Sequence, residues 1–284
     1  MSTGYAGNSS DAGIITIPDD TDLADSESVN RAFRALKDGL LFSTDAAALA
    51  PIHHLVSCES IDAATLRVRQ VPAFSLYRSL TPPNTYVRVE KFPETVTSAM
   101  LDVAPGAWAA SQVYYVYLRY DPATDSVKYM VSLTAPDKGL VFISTPTRTV
   151  RYCGCFTTDG AGQIRPFYKA GRQYRYFAEL TPPAFGGSDT VYTSISLAGY
   201  KPPHARLVRL RAWASTSNPT VDTAFLRRAG GPGATELWAN TGANVSDKEL
   251  DIITDAAGAV EYKVSDANAS LAFRVLGFTE GEIP

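Results

Sequence analysis

Three cysteines and three histidines are the residues of this chain best suited to nucleophilic, redox or metal chemistry. Cys153-Gly154-Cys155 lacks the paired spacing of a zinc site, and on a strand its two thiols would point to one face. With Cys58 as the third, no even disulfide framework forms, so all three read as small buried apolar residues. His53 and His54 are adjacent, so on extended backbone they point opposite ways, and no thiol or carboxylate stands beside them at ligand spacing. His204, in the corner Lys201-Pro202-Pro203-His204, reads as a surface or interface histidine. Asp19-Asp20-Thr21-Asp22 is acidic, but the central Gly and late Glu of an EF-hand are missing, which leaves a solvated cap ahead of a helix. No nucleophile elbow, phosphate loop or dinucleotide fingerprint is present, and the glycines from Arg227 to Gly233 follow none of these orders. A glycosidase pair is defined by separation in space, and nothing along the chain singles out two carboxylates. The residues therefore predict no catalytic group, no cofactor and no metal: a chain that is not an enzyme.

What must be positioned, then, is surface rather than chemistry. The 284 residues suggest two modules, and 45% hydrophobic against 19% charged residues, with 20 Gly and 18 Pro, is the balance of a turn-rich globular protein. A net charge of −3 without a basic run argues against nucleic acid as a partner. The first residues, Met1 to Gly13, have neither a basic nor an apolar signal region, and no apolar run approaches the roughly 18 residues of a membrane span. The expectation is synthesis in the cytosol, no Sec export and no membrane insertion.

The first fifty or so residues differ from the rest. A Gly/Ser/Asp-rich stretch holds the short strand-like Ile14-Ile15-Thr16-Ile17, and Asp25 or Ser26 then caps a predicted helix of about 26–40. Val29, Ala32, Phe33, Leu36 and Leu40 recur at intervals of three and four, forming one apolar stripe. An isolated helix of this length is marginal in water, so the stripe needs cover, either from the chain's own sheets or from copies of itself or a host assembly.

From residue 56 the period changes to two. Strands are predicted at Thr65–Val71, Thr85–Phe92, Val113–Asp121, Ser126–Leu133, Leu140–Ser144, Val150–Thr157 and Gln163–Phe177, the last interrupted at Pro166 or Gly171. Thr181 to Ser188, with paired prolines and glycines, reads as a linker. Beyond it, strands are predicted at Thr190–Leu197, Ala205–Ala214, Ala224–Arg228, Glu236–Ala239, Lys248–Thr254, Val260–Val264 and Leu271–Phe278. On Val113–Asp121 both alternating sets are large and apolar, which marks Tyr115 and Tyr117 as aromatic interface candidates, covered from within the chain or by a neighbour.

Two stretches resemble bacteriophage tail-fibre and tail-tip proteins. One runs from Trp108 through Val113-Tyr114-Tyr115-Val116-Tyr117-Leu118 and Arg151-Tyr152-Cys153-Gly154-Cys155-Phe156-Thr157-Thr158-Asp159 to Ile164-Arg165-Pro166-Phe167. The other runs from Ser196-Leu197-Ala198-Gly199-Tyr200 through Leu207-Val208-Arg209-Leu210 to Leu271-Ala272-Phe273-Arg274-Val275-Leu276-Gly277-Phe278. Ser28 to Asp38 is similar to the attachment region that precedes fibre domains. The resemblance implies a structural virion protein, a tail fibre or tail-tip component, commonly a homotrimer, that contacts other tail or baseplate proteins and a host surface glycan or protein. The alternatives are a purely architectural baseplate or capsid decoration subunit and, from another class, a polysaccharide-processing enzyme or its carbohydrate-binding module.

The expected fold is mainly β. Residues 1–55 form an attachment segment with one helix, and residues 56–180 and 184–284 form two antiparallel, jelly-roll-like β-sandwich modules. Particle attachment or an oligomer interface is assigned to Val29, Phe33, Leu36 and Leu40.

Overall fold

The structure, a computed structural model, describes residues 3–5, 15–17, 55–70, 74–79, 85–89, 94–102, 106–121, 123–136, 150–182, 186–217, 221–239 and 247–281. The predicted helix with Val29, Phe33, Leu36 and Leu40, and the predicted strand at 140–144, lie outside them. The described chain is mainly β, and every ladder between its strands is antiparallel. Helical structure is confined, among the described residues, to short 3-10 turns such as Ser98–Met100 and Ala198–Tyr200.

Strands β1 (Thr3–Tyr5) and β2 (Ile15–Ile17) pair with each other, as do β5 (Phe74–Ser79) and β6 (Thr85–Val89). A three-stranded sheet has the order β10-β8-β9, from β8 (Val113–Asp121), β9 (Ser126–Ser132) and β10 (Val150–Thr157). A four-stranded sheet is ordered β14-β19-β16-β17, from β14 (Thr193–Ser196), β16 (Asp222–Arg228), β17 (Thr235–Ala239) and β19 (Ala259–Val264).

The largest sheet has nine strands. The chain up to residue 180 supplies β3 (Ser57–Ser60), β4 (Leu66–Gln70), β7 (Glu94–Val96), β11 (Phe167–Ala170) and β12 (Gln173–Leu180). The rest of the chain supplies β13 (Gly186–Gly187), β15 (Leu207–Thr216), β18 (Asp247–Ile253) and β20 (Ala269–Thr279). The order β18-β15-β20-β12-β11-β3-β4-β7, with β13 alongside β20, runs without a break through the expected boundary between modules.

Of residues 181–188, read from composition as a linker, Thr181, Gly186 and Gly187 are tied down. The Thr181 carbonyl accepts from the Tyr200 hydroxyl at 3.0 Å, its side chain accepts from Arg274 at 2.7 Å, and Gly186–Gly187 pair with β20. Paired prolines and glycines report poor propensity for a long strand, but they do not prevent a two-residue ladder or side-chain anchoring.

The alternation on which the strands were predicted is the alternation of burial. On β15, Val208, Leu210, Ala212 and Ala214 are buried while Arg209, Arg211 and Trp213 are only partly so. The four-stranded sheet lies against β15 and β20, facing them with Ala224, Leu226, Leu237, Tyr262 and Val264. The outer face carries a ladder of ion pairs: Arg209 to Asp251 at 2.9 Å, Arg211 to Asp247 at 2.6 Å and to Glu179 at 2.8 Å, and Arg175 to Glu249 at 3.3 Å. Exposed pairs of this kind contribute roughly 0–1 kcal/mol each, so the apolar inner face dominates the stability.

β8 is buried on both faces by its own chain. Tyr114 stacks on Phe156 and meets Trp108 edge-on, while Tyr117 lies 5.6 Å from the Tyr152 ring and donates to the Thr134 carbonyl at 2.7 Å. Tyr115 and Tyr117 are 3% and 0% exposed, so the interface assigned to them is internal. The sequence shows that both faces of the strand are apolar, but not whose atoms cover them.

Candidate functional site

One face of the three-stranded sheet meets β11, β12 and the residue after β20, central strands of the nine-stranded sheet, and buried ionisable groups gather there. On β10 the register with β8 shifts between Tyr152 and Gly154. Tyr152 therefore faces Tyr117 and Cys155 faces Tyr115, and two residues three apart come to one side of the sheet, where strict alternation would separate them. Gly154 belongs to this step: a Cβ there would lie 2.7 Å from the Tyr174 hydroxyl, which accepts from the Cys155 backbone N–H at 2.9 Å.

The opposite wall comes from the second half of the chain. His204 sits in the Pro-rich corner, held by Ala205 N–H to the Pro202 carbonyl at 3.1 Å and by the Tyr176 hydroxyl to the Tyr200 carbonyl at 2.6 Å. Glu280 follows directly on β20, its N–H bound to the Arg172 carbonyl at 2.9 Å, and its side chain is fully buried. Oε1 of Glu280 accepts a short hydrogen bond from the Tyr152 hydroxyl and one from the Cys155 thiol at 3.5 Å, and Nε2 of His204 lies 3.3 Å away. Oε2 of Glu280 and Nδ1 of His204 are buried and find no hydrogen-bond partner among the described residues. Nearby, Lys169 donates to the carbonyls of Val56 at 2.9 Å and Gly171 at 2.7 Å.

Burial dominates the electrostatics. It pushes the Cys155 thiol well above its ordinary value, and the Glu280 charge adds to this; Cys58 and Cys153 are pushed up to about 12, again first by burial. Burial by itself favours the protonated thiol at all three, which withholds the thiolate that nucleophilic chemistry needs. Burial alone would also raise the Glu280 carboxyl. The hydrogen bond from His204, the charge of Lys169 and the Tyr152 hydroxyl outweigh it and hold the group below its ordinary value. The result is a buried carboxylate under three converging donors. The donor atoms of Cys155, His204 and Glu280 all lie within 4.8 Å of one another, close enough to share a metal ion.

A different feature lies at the surface. Tyr168 on β11 and Phe177 on β12 are 41% and 58% exposed, with ring centroids 5.9 Å apart and planes at 30°. Gln173, Arg175 and Arg209 share a groove with Tyr168 on one side, and Phe177 lines another with Ile61, Gln163 and Pro166.

Of the residues singled out from sequence, Val29, Phe33, Leu36 and Leu40 lie outside the described residues, and Tyr115 and Tyr117 are core. Cys153 and Cys155 are buried as expected, but only Cys155 joins the cluster; the Cys153 thiol is directed at the Arg151 carbonyl, 3.6 Å away. His204 lies against a buried carboxylate, where the sequence suggested surface or interface. Glu280, Tyr152, Tyr168 and Phe177 were not singled out as sites. Glu280 is 76 residues from His204 and 125 from Cys155, so no linear motif marks it.

No family model and no curated protein matches this chain. Among solved structures it is similar to a Cry1Da tryptic core variant of Bacillus thuringiensis, at 8% identity and a TM-score of 0.21, over 83% of this chain and 54% of that one. The Bacillus thuringiensis insecticidal crystal protein Cry7Ca1 matches at 9% identity and 0.22, over 84% and 54%. The N-terminal CBM22-1-CBM22-2 tandem domain of Paenibacillus barcinonensis Xyn10C matches at 7% identity and 0.21, over 78% and 98%. The chain spans about half the length of the two insecticidal proteins. TM-scores of this size establish no common fold.

Proposed function

We propose that this chain is a structural, non-enzymatic component of a phage-type tail, a tail fibre or tail-tip protein that docks by its N-terminal segment and presents β-sandwich modules to a host surface. The observation that carries the binding half of this reading is the exposed aromatic pair Tyr168 and Phe177, set on a paired sheet between grooves that hold Arg175, Arg209 and Gln163. Flat apolar rings on a stiff backbone, beside guanidinium and amide groups, are the surface with which proteins grip glycans and other proteins at low entropic cost. The four-stranded sheet lying on β15 and β20 supports a sandwich in the second half of the chain. The attachment half rests on the stripe Val29, Phe33, Leu36 and Leu40, and on the likeness of Ser28 to Asp38 to fibre attachment regions. A homotrimer would supply the cover that a short amphipathic helix lacks.

Purified full-length chain tested on a glycan array and on host cells should bind, and Tyr168→Ala with Phe177→Ala should weaken that binding roughly tenfold or more. Absence of any host-surface binding would favour an architectural baseplate or capsid decoration subunit. Release of reducing ends from host polysaccharide would replace both readings with an enzyme.

A further inference from the structure

We propose that Cys155, His204 and Glu280 form a structural binding site for a divalent ion of the zinc class, which fastens the three-stranded sheet to the end of β20. The donor set selects the ion: thiolate, imidazole and carboxylate together suit zinc, whereas calcium and magnesium require oxygen throughout. The separations fit as well. Sγ of Cys155 lies 3.5 Å and Nε2 of His204 3.3 Å from Oε1 of Glu280, and all three donors fall within 4.8 Å of one another. A tetrahedral ion with bonds of about 2.3 Å to sulfur and about 2.0–2.1 Å to nitrogen and oxygen has edges of roughly 3.3–3.5 Å. Two edges therefore already match, and a small rotation of His204, the one partly exposed member, closes the third.

Hydrogen bonding gives an independent reason. Tyr152, Cys155 and His204 all converge on Oε1 of Glu280, while Oε2 of the same fully buried carboxylate finds no hydrogen-bond partner among the described residues. A carboxylate oxygen has two lone pairs, so three donors overcrowd one oxygen and leave the other bare. An ion seated among the three side chains replaces the thiol and imidazole contacts with metal bonds, leaves Tyr152 to orient the carboxylate, and gives Oε2 a counter-charge. On binding, the Cys155 S–H bond breaks and its proton goes to solvent, while the sulfur keeps the electron pair and bonds the ion; His204 gives up its Nε2 proton and carries its N–H at Nδ1 instead, which frees the Nε2 lone pair for the ion. Cys155 and Glu280 are buried and His204 is only partly exposed, so an ion held among them is largely shielded from solvent. This inference stands apart from the tail reading, since it uses none of the same residues.

The test uses full-length protein purified without chelator, elemental analysis, and cobalt(II) titration of the same chain after chelator treatment. We expect about one zinc per chain, as for a single closed site, and a thiolate-to-cobalt charge-transfer band in the near ultraviolet. Cys155→Ser and Glu280→Gln should lose both signals, and Cys153→Ser should keep them. Unsubstituted protein that holds no metal and gives no charge-transfer band with cobalt would overturn the proposal, as would full metal retention in Cys155→Ser. The cobalt titration needs no variant, so misfolding of a mutant cannot rescue the idea.

Discussion

Buried titratable groups make the sharpest statements at the scale of single residues. Burial pushes Lys201 down to about 8, and Asp255 restores only part of the shift. Below that pH the folded chain must keep a buried charge, a cost that is fully present at neutrality. Between about 8 and the ordinary lysine value of 10.5 the folded chain sheds the proton while the unfolded chain keeps it, so native stability rises with pH across that window. Lys201→Met should therefore stabilise the protein at pH 7, by about 1 kcal/mol once solvent screening is allowed for, with the gain shrinking through pH 8–10. Urea midpoints of the two chains at several pH values measure this, and a pH-independent difference would contradict it. Cys58 has the opposite sign: pushed up to about 12 by burial, it contributes stability that is complete below the unfolded thiol's 9.0 and is lost as pH climbs toward the folded value. Native protein at pH 8 should leave all three thiols unreactive toward an aromatic disulfide reagent, and denatured protein should expose three. Of this scale the sequence showed the burial of Cys58, Cys153 and Cys155. It did not show the partner of Cys155, because alternation reports which residues turn inward and not what they meet.

Strand pairing decides the next scale. Gly277 on β20 packs so closely on β12 that a Cβ would stand 2.0 Å from the Tyr174 carbonyl oxygen, whereas one at Gly199 would meet nothing within 4 Å. Gly277→Ala should force the two strands apart and cost about 3–4 kcal/mol, while Gly199→Ala should stay within about 0.5 kcal/mol. Urea denaturation followed by circular dichroism separates the two, and equal effects would show that the β12–β20 ladder has been misread. The strands themselves were legible: Val113–Asp121 and Val150–Thr157 agree with prediction to the residue, and the run from Gln163 to Phe177 breaks at Gly171 as one of its two readings had it. β1, β3, β5, β7 and β13 were missed; all but the six-residue β5 have four residues or fewer, too few to display a period. The register shift beside Gly154 was also illegible, because the glycine records a close approach from Tyr174, a neighbour remote in sequence.

Across the whole molecule, one sheet holds strands from both sides of residue 180, and the buried apolar residues form one contiguous core. Composition suggested two modules with a free connection. The ladder between β12 and β20 couples them instead, so residues 56–284 should unfold in a single calorimetric transition; two resolved transitions would restore independent modules. The division of labour between the ends depends on the segment with Val29, Phe33, Leu36 and Leu40, whose apolar stripe asks for a partner. The most direct measurement complements a particle lacking this protein with the full chain, with a chain lacking residues 1–50, or with Phe33→Asp, and assays each in purified particles. We expect the full chain in the particle, and both altered chains absent from it though soluble and rich in β structure, because a charge facing an apolar partner expels the contact. Absence of the full chain from particles, or normal incorporation of both altered chains, would contradict attachment of a tail protein through its N-terminal helix.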